Sequence, residues 1–287
     1  MIPAAGYGTR FIPAIKSVPK EMLPIVDKPI IQHVVEEATS AGLKDVIIIT
    51  RASKRLIEDH FDYPTNLVKV LQKVHKTKEI ECVTKIAGLG NFTYIRQKGP
   101  MGTASAIKSA RQAVDNEPFL VLYGDDFVLA KPSRTKQLLS LYNKYHCPIL
   151  CGIRTDNEKD ASQYAFAEEE WSKNGVTKIK RLIEKPGKSR RPSNLAIVSG
   201  YILTPQIFWA IDTLEKKLKP GKELMYTDAI NLLAQTQPIY VCEIKNATYF
   251  DTGNKLEYLK TLVQFSLAHK KMGPQLRRFI QKLQKKL

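Results

Sequence analysis

Only four of the 287 residues are cysteine, at positions 82, 147, 151 and 242, and they are scattered along the chain. A small fold stapled by disulfides needs denser cysteines, and structural zinc needs Cys or His pairs at ligand spacing, which do not occur here. Cys147 and Cys151 come nearest, four apart in an apolar stretch. All four therefore read as reduced, mostly buried thiols of a cytoplasmic protein. No apolar run approaches the ~18 residues of a membrane-spanning helix. The segment from Met1 to Ile15 carries Arg10 amid glycine and proline where a signal peptide would carry an apolar core. No membrane partner is expected. Internal repeats and low-complexity linkers are missing too, and disorder, collagen and coiled coil fit the composition poorly.

What is present is an ordinary globular mixture, 43% hydrophobic and 25% charged, long enough to bury a core without staples. Lysine and arginine number 45 against 28 acids, a formal charge of +17. Such a field concentrates anions, whether nucleotides, sugar phosphates or nucleic acid. Lys270, Lys271, Arg277, Arg278, Lys282, Lys285 and Lys286 crowd the end of the chain with no acid among them. They read as a solvated helix face. Without aromatics interleaved among cations on one face, a nucleic-acid partner is not expected.

Short β-branched runs alternate with helical periodicity through the first half, the pattern of a parallel sheet built from βα units. Val46 to Thr50 is the clearest strand. Ile30, Ile31, Val34, Val35 and Ala38 share one face of a helix opened by Pro29 and closed at Gly42. Further strands are predicted at Thr93 to Arg96 and Phe119 to Tyr123, with a helix from Thr103 to Val114 between them. The second of these strands ends at Gly124, Asp125 and Asp126, where open α/β sheets bind ligands. Beyond Pro148, strands near 149–153, 165–168, 176–183 and 197–203 are less regularly separated by helices, which suggests a mixed sheet. Helices near 205–217 and 225–234, a strand at 239–244, and two closing helices from Asn254 and Pro274 complete the reading. The expected fold is α/β: a Rossmann-like mixed, mostly parallel sheet flanked by helices. One continuous catalytic unit is expected over 1–252, with a helical extension over 253–287.

The most informative stretch is Ala4-Ala5-Gly6-Tyr7-Gly8-Thr9-Arg10, followed by Lys16 and then by Pro19-Lys20-Glu21-Met22-Leu23-Pro24. Gly6 and Gly8 allow a tight turn that turns successive N–H groups toward an anion, Thr9 adds a hydroxyl donor, and Arg10 a bidentate cation. Together they make a phosphate cradle. It is neither a Walker A loop nor a dinucleotide fingerprint, since the Gly-Lys-Ser/Thr and the third glycine are missing.

In combination, these residues resemble the bacterial-type UTP–glucose-1-phosphate uridylyltransferases (UDP-glucose pyrophosphorylases) of the sugar nucleotidyltransferase family. The resemblance runs through Arg96-Gln97, Gly124-Asp125-Asp126, Glu184-Lys185-Pro186, Pro192 to Val198, Glu223-Leu224 with Thr227 to Ile230, and Asp251 to Lys255. It implies in-line attack of glucose 1-phosphate on the α-phosphorus of UTP, giving UDP-glucose and pyrophosphate. It also implies a nucleotide-binding half over about 1–130, a sugar-binding half over about 131–252, and a homodimer or homotetramer built partly by the C-terminal helices. Arg10 and Lys20 would hold the triphosphate, Lys185 the sugar phosphate, and Asp125 and Asp251 a Mg2+ ion; Asp126 is left out of the metal set. Gln97 would read the base, with backbone contacts from Ala4, Ala5 and Gly102. Glu184 would accept from glucose hydroxyls, and Gly124 and Gly200 would let backbone approach the ligand. Glu21 either orients Lys20 or touches the ligand.

The chain departs from that pattern twice. Met101-Gly102-Thr103-Ala104-Ser105-Ala106 stands where the uridylyltransferases usually have Leu-Gly-Leu-Gly-His-Ala. It is nearer the version in guanylyl- and thymidylyl-transferring relatives, which keeps dTTP, GTP and mannose 1-phosphate open as substrates. The first strand is also expected to be short, because Met1 stands two residues before the Pro-Ala-Ala-Gly loop: the strand is truncated or the true start lies upstream. A catalytically silent regulatory relative would lack at least one of Arg10, Lys20, Asp125, Lys185 or Asp251, and all five are present.

Overall fold

The structure is a computed structural model that describes residues 1–285; Lys286, the last cation of the basic stretch, and Leu287 lie outside the described residues. The chain opens with β1 (Ile2–Pro3), a small hairpin of β2 (Pro24–Ile25) and β3 (Lys28–Pro29), and α1 (Ile30–Ser40). β4 (Asp45–Thr50) follows, then three short helices, α2 (Arg55–Phe61), α3 (Thr65–Lys73) and α4 (Thr77–Ala87), and β5 (Asn91–Arg96). Next come α5 (Thr103–Ser109), α6 (Arg111–Val114), β6 (Phe119–Val121), β7 (Asp126–Ala130) and α7 (Arg134–Tyr145). β8 (Ile149–Arg154), β9 (Ala165–Lys173), β10 (Val176–Glu184) and β11 (Leu195–Leu203) carry the second half. The chain continues through α8 (Gln206–Glu215), α9 (Tyr226–Leu233), β12 (Tyr240–Glu243) and β13 (Ala247–Asp251) to α10 (Lys255–Ala268) and α11 (Gly273–Gln284).

β1, β4 and β5 form a parallel sheet in the order β1-β4-β5, and six strands form a second sheet ordered β6-β11-β8-β12-β10-β9. The two sheets are joined at β1. Leu122 N–H donates to the Met1 carbonyl (3.1 Å) and Gly124 N–H to the Pro3 carbonyl (3.2 Å), so the segment leaving β6 runs parallel to β1. In the larger sheet only β8 and β12 pair in parallel; β6, β8 and β9 run antiparallel to β11, and β10 runs antiparallel to both β9 and β12. Parallel pairing thus prevails in the first half, as alternating β and α periodicity requires, and antiparallel pairing prevails where that alternation lapses, with β8 and β12 the parallel pair there.

Helices cover both faces of the sheet. All nine residues of β11 are buried, the uninterrupted apolar run that two covered faces demand. Ile30, Ile31, Val34, Val35 and Ala38 are buried on α1, as their spacing predicts, and Gly42 turns the chain at φ +100°. The helix predicted over 103–114 breaks at Ala110 into α5 and α6. Elements the periodicity did not announce are α2 to α4, β7, α7 and β13. Leu67, Val70 and Val74 on and after α3 are largely exposed, so no buried stripe marks that segment. β7 and β13 pair only with each other, and their short mixed sequences carry no long β-branched run.

Candidate active site

The adjacent carboxyl ends of β1, β4, β5 and β6 supply the first part of the site. Ala4 N–H still donates to the Ile49 carbonyl (2.8 Å), after which the chain leaves the sheet. Gly8 sits at φ +67°, and a Cβ there would meet Ile15 Cδ1 at 2.7 Å and Lys20 Cδ at 3.1 Å. The glycine therefore lets the loop fold down against the Lys20 stem. Buried Phe11 meets Tyr258 of α10 edge-on at 5.9 Å, which ties the loop to the helical extension.

Four charged side chains from distant segments meet around Gly253. A Cβ on Gly253 would lie 2.9 Å from Asp251 Oδ1, 3.6 Å from Asp125 Oδ2 and 4.0 Å from Arg10 Nη1. Lys20 Nζ is hydrogen-bonded to Asp125 Oδ2. Gly8, Thr9, Arg10, Lys20, Asp125 and Gly253 line a hollow of about 250 Å3 here. Burial disfavours the Lys20 charge, but Asp125 and Glu21 outweigh it and raise the lysine above its ordinary value. It is thus a fixed cation at neutral pH. Asp251 is aimed by the Gly253 N–H (2.8 Å) and by the Tyr164 hydroxyl (3.2 Å). The cap of α10 is supplied by Asn254, which accepts from Glu257 N–H, so Asp251 is spared that duty.

Beneath Lys20 lies a second ion pair. Glu21 is 1% exposed and accepts from Lys54 Nζ at 2.8 Å through both oxygens. Burial raises the Glu21 carboxyl and lowers the Lys54 ammonium, each opposed by its partner. Both Glu21 oxygens are thus taken up by Lys54, while Lys20 bonds to Asp125. Asp126 points away from the hollow: its Oδ2 accepts from the Tyr249 hydroxyl and its Oδ1 lies 3.7 Å from buried Arg134. Arg134 is also held by both Glu37 oxygens and by the Ser199 carbonyl.

The remaining predicted residues divide into two groups. Gln97 and Gly102 stand at the ends of β5 and α5. Gly102 has φ +126°, and a Cβ there would strike the Leu224 carbonyl at 2.3 Å. Leu224 clasps this loop, donating to the Met101 carbonyl (2.8 Å) and accepting from Ala104 N–H (2.9 Å). Glu184 and Lys185 end β10 on the far side, joined to the carboxylates through Tyr164, whose carbonyl accepts from Lys185 N–H at 3.2 Å. Lys185 is exposed, with φ 42°. Burial raises the Glu184 carboxyl against the pull of Lys185.

Gly124 and Gly200 meet protein. A Cβ on Gly124 would lie 3.2 Å from Glu21 Cγ and 3.5 Å from Ala4 Cβ, and one on Gly200 2.9 Å from Arg134 Cδ. A side chain at Gly124 would thus press on its protein neighbours, and one at Gly200, where φ is +119°, would be strained by the backbone as well as by Arg134. Sequence reasoning missed Lys54, Arg51 and Tyr164. The first two lie just past the carboxyl end of β4, the position that singled out Asp125 after β6.

The site has two carboxylates within reach of one point, and among the described residues no cluster of three or more His, Cys, Asp or Glu side chains that could cage a metal. A hard divalent cation that takes one or two carboxylates and completes its shell with phosphate and water fits that donor set. A family model described as "Nucleotidyl transferase" matches residues 1–266. The chain belongs to the nucleotidyl transferase family. Nucleotidyl transferases of this kind generally use a divalent metal.

Among curated relatives, the UTP–glucose-1-phosphate uridylyltransferase of Bacillus subtilis is 42% identical over 283 residues, covering 99% of this chain and 96% of its own. That of Staphylococcus haemolyticus is also 42% identical, covering 99% and 97%. A UDP-glucose pyrophosphorylase structure from Acinetobacter baumannii superposes with a TM-score of 0.89 at 31% identity, over 98% of both chains. Another UDP-glucose pyrophosphorylase, complexed with UDP-glucose, gives 0.80 at 38% identity over 94% of this chain and 100% of that one. No helix among the described residues is long and apolar enough to cross a membrane.

Proposed function

We propose that this nucleotidyl transferase makes UDP-glucose and pyrophosphate from UTP and glucose 1-phosphate. The observation that carries the chemistry is the meeting of Arg10, Lys20, Asp125 and Asp251 around Gly253. Full-length similarity to uridylyltransferases supports the choice of substrates. A phosphate oxygen of glucose 1-phosphate forms the new bond to the α-phosphorus of UTP, and the bond from that phosphorus to the β-phosphate oxygen breaks. Negative charge gathers on the oxygens between them. Positioning and preorganised cations therefore supply most of the acceleration.

Arg10, Thr9 and the N–H groups of Gly6 and Gly8 bind the triphosphate. Lys20, held charged, faces the departing pyrophosphate. Lys185 grips the sugar phosphate and Glu184 accepts from glucose hydroxyls. Gln97 offers the base an amide that donates and accepts, beside the Ala4, Ala5 and Gly102 backbone. Asp125 and Asp251 would hold Mg2+, which neutralises charge on the reacting phosphates when bound. Pyrophosphate release with UTP, dTTP and GTP against glucose and mannose 1-phosphates tests the reading. UTP with glucose 1-phosphate is expected to be fastest; a clear preference for dTTP or GTP would overturn the assignment.

The active unit is a homo-oligomer joined partly through α10. Leu256, Leu259, Leu262 and Val263 form a stripe on that helix; Leu262 is half-buried and the other three are exposed in the single chain. Packing onto their own domain, the alternative use for such a stripe, leaves Leu256, Leu259 and Val263 exposed.

A further inference from the structure

Next to the Gly253 hollow, and sharing Thr9 and Lys20 with it, lies another of about 250 Å3, whose lining also includes Tyr7, Lys16, Arg51 and Lys54. It contains no carboxylate. Lys20 and Lys54 are already paired with Asp125 and Glu21. Among the described residues, Lys16 and Arg51 have no ion-pair partner. Arg51 is distinctive: its Cζ stacks 3.7 Å over the Tyr7 ring, while its Nε and Nη1 are buried with no hydrogen-bond partner. Guanidinium N–H groups withdrawn from water and left unpaired are destabilising, and a planar fork of donors matches phosphate oxygens. Stacking on Tyr7 fixes the plane of that fork. Thr9 and Lys20 border both hollows, so a polyphosphate seated over Arg10 can extend past them into the second.

We propose that Arg51, braced by Tyr7 and assisted by Lys16, anchors the pyrophosphate end of the nucleotide: the terminal phosphates of the incoming triphosphate, and inorganic pyrophosphate before it leaves. This deepens the uridylyl-transfer reading and rests on it for the identity of the reaction. Arg51 acts on the leaving group from the second hollow, whose lining includes none of the residues assigned to the base or the sugar, Gln97, Gly102, Glu184 and Lys185. Its removal therefore weakens pyrophosphate while sparing UDP-glucose.

Calorimetric titration of inorganic pyrophosphate into wild type, R51Q, R51K and Y7L in magnesium buffer tests the anchor. Michaelis constants in the pyrophosphorolysis direction are measured alongside. A charge-assisted pair lost from R51Q should weaken pyrophosphate by about tenfold to a hundredfold in both assays. R51K should recover part of the loss and Y7L should lie between. The KM for UDP-glucose in R51Q should stay within about twofold of wild type. Wild-type pyrophosphate affinity in a folded R51Q protein, or equal weakening of both substrates, would overturn the proposal. If the wild-type enzyme fails to use UDP-glucose at all while R51Q still loses pyrophosphate binding, the substrate assignment falls and the anion anchor stands.

Discussion

Lys54 and Glu21 are opposite charges almost wholly withdrawn from water, and Glu21 follows Lys20 directly in the chain. Their bond holds the start of the Lys20–Met22 turn to the loop after β4, and so fixes the stem from which Lys20 reaches Asp125. Removing one member of a buried pair strands the other, typically costing about 3–5 kcal/mol. Lys54→Met should lower the unfolding free energy by that order in urea titrations, and lower kcat as Lys20 loses its support. Near-wild-type stability would show that the pair contributes little. Asp125→Asn keeps side-chain volume but removes a carboxylate: turnover should disappear while circular dichroism stays native. At this scale the sequence was informative where a motif named the residue, as for Arg10, Lys20, Asp125 and Asp251. It was silent on Lys54 and Arg51 because each owes its role to a partner far along the chain, Glu21 and Tyr7, and no local spacing encodes that meeting.

α1 and α2 each hold a histidine in partly apolar surroundings. His33 stacks on Phe127 at 5.0 Å and meets Phe265 edge-on, and His60 sits against Phe61 and Gln32. Burial lowers both below the ordinary value of 6.5, for His33 against the opposing pull of Glu36. In the unfolded chain both titrate near 6.5, so below that pH the unfolded state binds more protons and stability falls with acidity. The melting temperature should drop as pH falls from 6.5 towards 5, and His33→Gln should flatten the slope; an unchanged slope in that variant would remove His33 from the account. The clasp between the Gly102 loop and Leu224 is a backbone device, and Gly102→Ala should break it, raising the KM for nucleotide more than that for sugar phosphate in steady-state assays. Elements with a strong buried stripe or β-branched run, such as α1 and β4, were legible from the sequence within a residue or two. α2 to α4 were not, since α2 buries Ile57 and Phe61 and α3 Val68 without a longer stripe, Leu67 and Val70 stay exposed, and no residue of α4 is fully buried. The break at Ala110 was hidden because Thr103 to Val114 reads as uninterrupted helix, with no proline or glycine between them.

Over the whole molecule, β1 joins a parallel sheet to a largely antiparallel one, and the proposed ligand groups gather where the two halves meet. The change of pattern after Pro148 announced this division; the joining hydrogen bonds from Leu122 and Gly124 to β1 could only be seen once folded. The exposed stripe on α10 gives the oligomer its test: Leu259→Lys should shift the mass measured by light scattering towards that of a monomer, and a wild-type monomer would remove the interface. The central claim is that cations and carboxylates from four separate segments enclose the reacting phosphates. A crystal structure with UDP-glucose and Mg2+ tests it most directly. The account predicts the diphosphate beside Gly253, with Arg10 and Lys20 within hydrogen-bonding distance and one ion shared by Asp125 and Asp251. A diphosphate bound elsewhere, with Arg10 and Lys20 turned into solvent, would contradict it.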